Sequence, residues 1–281
     1  MHSLIKASLG AALAFTLASP ALAQGDSGQV DWTGPYVGGG GGYAWQGKGK
    51  DETIRFDTDR DGNFDNTVTT ATGANAFTPG FCGGAARGNA PAAGCTNDHG
   101  GTAWSVHAGY DRQFGSIVAG IVAEGGDAAI VDNVSAFSTT PASYTMTRSL
   151  GFNAGIRARL GFTTKSGTLL YATGGGVYGK IRNSFSTTNN FNTFTETGRK
   201  DNAWGWTAGG GVDQKIGDHF SIGVLYKYTR FNADGYGVNA GQGTPPSATN
   251  PFVITSAGST DFARESRFDT HSVMATASYR F

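Results

Sequence analysis

Residues 272–281 alternate between apolar and polar side chains with a period of two. The apolar positions are Val273, Ala275, Ala277, Tyr279 and Phe281. The positions between them are polar, apart from Met274. Because successive side chains of an extended strand point to opposite faces, this pattern predicts a strand with one apolar face and one mostly polar face.

The same alternation recurs in five further segments and predicts a strand in each. Their apolar faces consist of Trp104, Val106, Ala108 and Tyr110; Ile117, Ala119, Ile121 and Ala123; Leu150, Phe152, Ala154, Ile156, Ala158, Leu160 and Phe162; Trp204, Trp206, Ala208, Gly210 and Val212; and Phe220, Ile222, Val224, Tyr226 and Tyr228. Two more strands are expected over residues 31–45 and 168–181, where glycines blur the alternation.

Short turns and long polar segments alternate between these strands. The turns lie at Gly115, 163–167 and 216–219, and the long segments at 46–100, 127–148, 183–201 and 233–265. About eight strands connected in this way predict an up-and-down antiparallel β-barrel rather than a sandwich. Membrane barrels have short turns at one end and long extracellular loops at the other.

Two arginines decide which face of the predicted barrel meets lipid. Arg157 and Arg159 share one face of the 150–162 strand, and an arginine at the lipid-facing midplane costs about 2–4 kcal/mol. Both side chains are therefore expected inside the barrel. The same parity predicts an inward set of charges that forms either a structural network of ion pairs or a proton or ion path. The set comprises Asp111, Glu124, Arg157, Arg159, Asp213, Lys227 and Arg280, together with His107.

The amino-acid composition limits the classes of function that this protein can have. Of 281 residues 45 are Gly, more than twice the ordinary globular share of about 7%, and the formal net charge is zero. The sequence by itself shows no basic patch or stripe, so nucleic acid is not an expected partner. Beyond the N-terminal segment no apolar run reaches about 18 residues, which argues against transmembrane helices but not against transmembrane strands.

Residues 1–23 have the features of a secretory signal peptide. Lys6 precedes an apolar run over residues 9–17, and Ala21-Leu22-Ala23 fits a small-x-small cleavage site. The pattern predicts an exported protein whose mature part, residues 24–281, forms one barrel domain.

The motif Trp32-Thr33-Gly34-x-Tyr36-x-Gly38, directly after the predicted signal peptide, resembles the opening of the porin-like family of small outer-membrane β-barrel proteins of alphaproteobacteria. Further matching pieces lie at 108–114, 157–162, 170–175, 205–212 and 279–281. The resemblance implies a non-enzymatic structural or surface role in the cell outer membrane, among outer-membrane lipids and lipopolysaccharide. In that family the terminal aromatic pattern, here Tyr279 and Phe281, is read by the barrel-insertion machinery.

The long segment 46–100 carries a possible cation site. Asp57, Asp59 and Asp61, with Gly62 and Asp65, match the start of a calcium loop, in which alternating carboxylates converge on one cation. Val68 occupies the twelfth position, where a calcium loop has glutamate. The alternatives are a calcium site and a solvated acidic loop, and no other cofactor is expected.

The two cysteines, Cys82 and Cys95, lie in the same segment. In an exported protein such a pair predicts a disulfide, which would contribute about 3 kcal/mol by closing a short loop. A zinc site that uses Cys95 and His99 is the alternative.

Two other functions stay open from the sequence. A small porin would pass ions or small solutes, and its flux would change on replacement of Arg157 or Glu124. A surface binding protein, for an adhesive partner, haem or a cation, would act through its loops. An enzyme has poor support, because no nucleophile and base pair can be assembled from the histidines of the mature chain. These are His99, His107, His219 and His271.

Overall fold

The structure is a computed structural model that describes residues 30–47 and 52–281. The predicted signal peptide, residues 1–23, lies outside this part of the chain. Within it the strands are β1 (Gly34–Gln46), β2 (Ile54–Asp57), β3 (Gly80–Gly83), β4 (Gly101–Phe114), β5 (Ile117–Ala128), β6 (Ile130–Ser138), β7 (Ala142–Thr163), β8 (Thr168–Thr187), β9 (Thr193–Thr197), β10 (Lys200–Ile216), β11 (Phe220–Asn232), β12 (Gly237–Gly241), β13 (Thr260–Arg264) and β14 (Arg267–Arg280), with one 3₁₀ helix at Pro91–Ala93. No helix among the described residues is long and apolar enough to cross a membrane.

Eight of these strands close into an antiparallel barrel. Neighbours pair in the order β1-β4-β5-β7-β8-β10-β11-β14, and β14 pairs back to β1, with Tyr36 opposite Arg280. The predicted fold class, an eight-stranded up-and-down barrel, is thereby confirmed.

The two ends of the barrel differ in the length of their connections. Gly115, Gly167 and Gly217 provide the left-handed backbone of three tight turns at one end. All four long connections leave the other end. By the rule for membrane barrels, the end with tight turns faces the periplasm and the other end faces outward.

The outer face of the barrel is apolar, with the parity that the alternation predicts. Ile156 and Leu160 are each about 60% exposed, and their neighbours in the sequence, Arg157 and Arg159, are buried inside. A band of this kind is stable only against lipid, because an apolar surface of this size is unfavourable in water.

The long connections fold into a cap above the outer end. The strands β2, β13, β12 and β9 form a separate sheet, while β6 and β3 extend the upper half of β7 beyond the barrel. One apolar core joins these pieces. It contains Ile54, Phe56, Val68, Ala76, Phe77, Val134, Ala136, Ala142, Tyr144, Met146, Tyr236, Val238, Ala240, Phe252 and Phe262.

The structure corrects three expectations. Residues 127–148, expected as a polar loop, contain β6 and the upper half of β7. The first strand begins at Gly34 rather than at residue 31. Leu150, expected on the outer face beside Phe152, points inward because the β7–β8 register shifts between Leu150 and Asn153.

Candidate functional site

Four charged side chains form a buried network in the lower lumen, near the tight turns. Arg280 donates to Asp111 at 2.8 Å, and Arg159 lies 3.7 Å from Asp111 and 3.0 Å from Asp213. All four are less than 10% exposed. The Asp111 carboxylate lies over Gly120 of the adjacent strand, where a Cβ atom would collide with it. Glycine at this position therefore makes room for the buried charge.

Trp32 closes the lumen below this network. Its ring is fully buried, its carbonyl accepts a 2.5 Å hydrogen bond from Arg280, and the Arg280 guanidinium lies 5.2 Å from the ring centroid. The same guanidinium lies 4.7 Å from the centroid of the Tyr36 ring. Val118, Leu169, Tyr171 and Leu225 complete the apolar cluster around Trp32. The opening motif thus folds the chain under the barrel before β1 starts.

A second charged layer lies higher in the lumen. Glu124 pairs with Arg157 at 3.0 Å and also accepts a hydrogen bond from Lys227. Arg157 donates in addition to the Thr173 hydroxyl at 3.1 Å. One carboxylate thus pairs with two cations that come from different barrel strands, β7 and β11.

His107 and Ser278 form a third polar contact in the lumen, with 2.8 Å between His107 Nε2 and Ser278 Oγ. Gly38 lies beneath them, and a Cβ there would collide with both side chains. The neighbouring Glu124 is already paired with its two cations. The cavity beside His107 has a volume of only about 20 Å³, room for about one water molecule and not for a substrate.

The other three histidines are far from this pair in the fold. His219 stacks on Tyr279 at the periplasmic end. His271 shares a hydrogen bond with the Tyr226 hydroxyl on the outer face. His99 is exposed in the loop that pairs with Val131. Within the described residues the histidines do not converge.

An apolar layer closes the top of the lumen. Every barrel strand contributes at least one inward side chain to it, with Phe231 and Phe268 as the largest. Its remaining members are Ala44, Ala103, Ala128, Ile130, Leu150, Val177, Ile181, Ala203 and Ala233. The cavity just below has a volume of about 40 Å³, sufficient for a few water molecules.

Above the apolar layer, a buried ionic network joins the barrel to the cap. Asp132 pairs with Arg148 at 2.5 Å and with Arg264 at 2.8 Å, and Glu52 lies 3.4 Å from Arg264. Asp98 lies close to both carboxylates. The sequence interpretation missed this network because its members come from segments expected to be loops, where charged residues are assumed to be solvated.

Protonation of Glu52 is expected to strengthen the attachment of the cap. Burial and the nearby charge of Asp132 raise the pKa of Glu52 from 4.5 to about 7, although Arg264 and Arg148 act in the opposite direction. The folded state therefore holds this proton more tightly than the unfolded chain. Its contribution to the free energy of unfolding is complete below about pH 4.5 and is lost as the pH rises through about 7.

We expect the wild-type barrel to lose about 2 kcal/mol relative to Glu52→Gln between about pH 5 and pH 8, since glutamine stays neutral throughout. Urea unfolding in detergent at a series of pH values measures this difference. Using the variant as the reference cancels the titration of Asp98 and Asp132 to a first approximation. Parallel pH curves for the two proteins would contradict the assignment.

The acidic loop brings together three of its four aspartates. Carboxylate oxygens of Asp57, Asp59 and Asp61 lie within 4.8 Å of one another, and Asp65 is outside this group. Both oxygens of Asp57 accept backbone N–H groups of the loop, at 2.5 and 2.9 Å. Val68, at the twelfth position, is buried in the core of the cap. The loop is thus held by its own hydrogen bonds, and calcium binding stays a prediction.

Cys82 and Cys95 form a disulfide. It ties β3 to the segment before β4, and Ala86 pairs with Cys95 inside the loop that it closes. The bond therefore stabilises the side of the cap that rests on β6. Because both thiols are used, the alternative of a zinc site with Cys95 and His99 has no support.

The chain is similar to known outer-membrane proteins. No protein-family model matches it. It is 27% identical over 199 residues to the 31 kDa outer-membrane immunogenic proteins of Brucella melitensis biotype 1 and Brucella suis biovar 1, and the match covers 70% of this chain and 70% of each relative. The crystal structure of the outer membrane protein OprG from Pseudomonas aeruginosa aligns with a TM-score of 0.47 and 13% identity, over 91% of this chain and 99% of that one. The two Brucella relatives confirm the predicted resemblance to outer-membrane proteins.

Proposed function

We propose that this outer-membrane β-barrel protein is a closed structural scaffold that carries a folded cap at the cell surface. In this proposal it is neither a pore nor an enzyme. The observation that carries the proposal is the filling of the lumen at three successive levels. These are the cluster around Trp32, the paired charges of the two ionic layers, and the apolar layer beneath the cap.

Each level opposes the passage of ions for a physical reason. The apolar layer offers no polar group to replace the hydration shell of an ion, and such constrictions block conduction by excluding water. In the charged layers every carboxylate and every cation has a partner of opposite charge within 4 Å, so none of these side chains is without an ionic partner. The two cavities between the levels, of about 40 and 20 Å³, have room for water molecules and for nothing larger.

The cap supports a surface role. Its aromatic core and its disulfide give the loops a fixed shape, with Phe56 and Phe77 stacked at 4.5 Å between ring centroids. The Brucella relatives are named as immunogenic outer-membrane proteins. By analogy, the cap is the part of this chain that we propose to be exposed outside the cell.

Export and assembly complete the proposal. Residues 1–23 would direct the chain through the inner membrane and be cleaved. Tyr279 and Phe281, whose rings contact each other at the periplasmic end, would be recognised by the barrel-insertion machinery. Outer-membrane lipids and lipopolysaccharide would surround the apolar band.

The decisive experiment is single-channel recording in a planar bilayer with the mature chain refolded in detergent. We expect no steady conductance, with or without calcium, from protein shown to be folded by its β-sheet circular dichroism. The variants Arg157→Gln and Glu124→Gln are expected to lower stability and to stay non-conducting, because Trp32 and the apolar layer still block the lumen.

Reproducible channels of uniform size from the wild-type protein would overturn the proposal in favour of a small porin. A conductance that changes with Arg157→Gln or Glu124→Gln would place the pathway through the ionic layers. Solubility of the folded chain without detergent would exclude a membrane barrel altogether.

A second candidate is a surface cation-binding function of the cap. It is favoured by one observation, the convergence of Asp57, Asp59 and Asp61. It is compatible with the closed scaffold, because the acidic loop lies outside the barrel.

A further inference from the structure

A cluster of basic side chains lies on the outer surface of the barrel where β8 and β10 leave the membrane. We call Lys180, Arg182, Arg199 and Lys200 the basic rim patch. All four side chains are exposed. Lys180 and Arg182 continue the outward face of β8 above Tyr178, and Lys200 occupies the same face at the start of β10.

The position of the patch along the barrel matches the outer boundary of the membrane. Leu170 and Lys180 are ten residues apart on the outward face of β8, and a tilted strand needs about 9–11 residues to cross the hydrocarbon layer. Just below the patch, Tyr178 faces Trp204 with 5.2 Å between ring centroids. Such aromatic pairs mark the interface between hydrocarbon and headgroups.

The register of β8 and β10 places like charges opposite each other. Lys200 pairs directly with Arg182, and Asn202 pairs with Lys180. Like charges directly opposite on one face of a sheet destabilise it, because their Cβ atoms are only about 5 Å apart. Within the described part of the chain, no carboxylate lies within 4 Å of the charged groups of Lys180, Arg182 or Lys200. The repulsion between them is therefore not compensated by the protein.

The acidic groups near the patch do not neutralise it. Glu196 lies 3.8 Å from Arg199, but its carboxylate also accepts hydrogen bonds from the Phe185 backbone N–H and the Tyr236 hydroxyl. Asp201 is oriented to the inside of the barrel and accepts from the Gly235 N–H. Asp234, which is exposed in the adjacent turn, lies more than 4 Å from the charged groups of all four patch residues.

Arg230, on the outward face of β11 opposite Trp206, shows the contrast. Arg230 forms two hydrogen bonds with Asp269, at 2.7 and 2.8 Å, so its charge is neutralised within the protein. Among the described residues, Lys180, Arg182 and Lys200 thus differ from Arg230 in having no carboxylate within 4 Å.

We infer that the basic rim patch binds the phosphate groups of an anionic glycolipid headgroup, the lipid A part of lipopolysaccharide, in the outer leaflet. Lysine and arginine form charge-assisted hydrogen bonds with phosphate. A phosphate between Arg182 and Lys200 would remove their repulsion, while the acyl chains would lie against the apolar band below. The inference rests on the proposed function, because it requires the barrel to span the outer membrane.

The test compares binding of bisphosphorylated lipid A and of the same glycolipid without phosphates to the full mature barrel in detergent. We expect the triple variant Lys180→Gln/Arg182→Gln/Lys200→Gln to bind the phosphorylated form on the order of 10- to 100-fold more weakly than wild type. Binding of the dephosphorylated form should be weak and equal for both proteins. Millimolar inorganic phosphate should not compete, since the acyl chains contribute to binding.

The matched control is Arg55→Gln/Arg87→Gln/Lys165→Gln, which removes the same charge from exposed sites in the cap and in a periplasmic turn. It should bind phosphorylated lipid A as wild type does. Equal affinity of the rim variant and wild type, or an equal loss in both triple variants, would overturn the inference while leaving the scaffold intact. A chain that does not insert into lipid at all would instead refute the proposed function.

Discussion

Replacement of Asp111 by asparagine is expected to lower the free energy of unfolding by about 3–5 kcal/mol. The Asp111 carboxylate is fully buried and lies within 4 Å of both Arg159 and Arg280. Asparagine keeps the size of the side chain and removes the charge, so Arg280 is left in the lumen without a partner carboxylate. A buried charge that loses its partner keeps its desolvation cost, which is why the effect is large.

Urea unfolding of the refolded barrel in detergent, followed by tryptophan fluorescence, measures this loss. The matched control is Asp218→Asn, which makes the same change at an exposed position in a periplasmic turn. The control should shift stability by no more than about 0.5 kcal/mol. If both variants unfolded at the same urea concentration, the lower ionic network would not be a source of stability.

The barrel strands could be predicted from the sequence because one physical rule governs them. Lipid on one side and a narrow polar lumen on the other force side chains to alternate, so that Val106 and Ile121 face outward while Asp111 and Glu124 face inward. The rule needs no knowledge of the partner strand. It fails at Leu150, where a change of register that only the pairing with β8 reveals turns the side chain inward.

The cap could not be predicted because its strands follow a different rule. Most of residues 130–138 are buried on both faces, between the apolar core of the cap and the buried ionic network around Asp132. Polar residues such as Asp132 and Ser135 are buried there with their partners, so the segment has no alternation to recognise. Arg264, one of the two arginines that pair with Asp132, is 132 residues away in the sequence.

The motif over residues 32–38 shows a further limit of predicting structure from the pattern of apolar and polar residues. The sequence predicts one strand over residues 31–45, which contains both Trp32 and Tyr36. The structure instead uses Trp32 as a plug, because Gly34 adopts a positive φ of 132° that turns the chain before β1. A two-state pattern of apolar and polar residues cannot distinguish a buried plug from a lipid-facing ring.

Replacement of Trp32 by alanine is expected to lower the free energy of unfolding by about 3–5 kcal/mol, the usual cost of removing a large buried aromatic ring. Trp32 is completely buried, and its ring covers the guanidinium groups of Arg280 and Arg159 at 5.2 and 5.9 Å. Its loss would leave a cavity at the periplasmic end and expose the lower ionic network to water. Urea unfolding in detergent measures the effect.

Two further variants separate the plug from a general effect of losing a tryptophan. Trp204→Ala removes a ring that is 69% exposed on the outer face, and it should cost only about 1 kcal/mol. Trp32→Phe keeps an aromatic face over Arg280. It also removes no hydrogen bond, because Trp32 Nε1 has no hydrogen-bond partner among the described residues. The phenylalanine variant should therefore retain more than half of the stability that Trp32→Ala loses. Equal costs for Trp32→Ala and Trp204→Ala would mean that the opening motif does not seal the barrel. Recovery by phenylalanine would instead identify the contact between ring and guanidinium as the reason that an aromatic residue precedes the first strand.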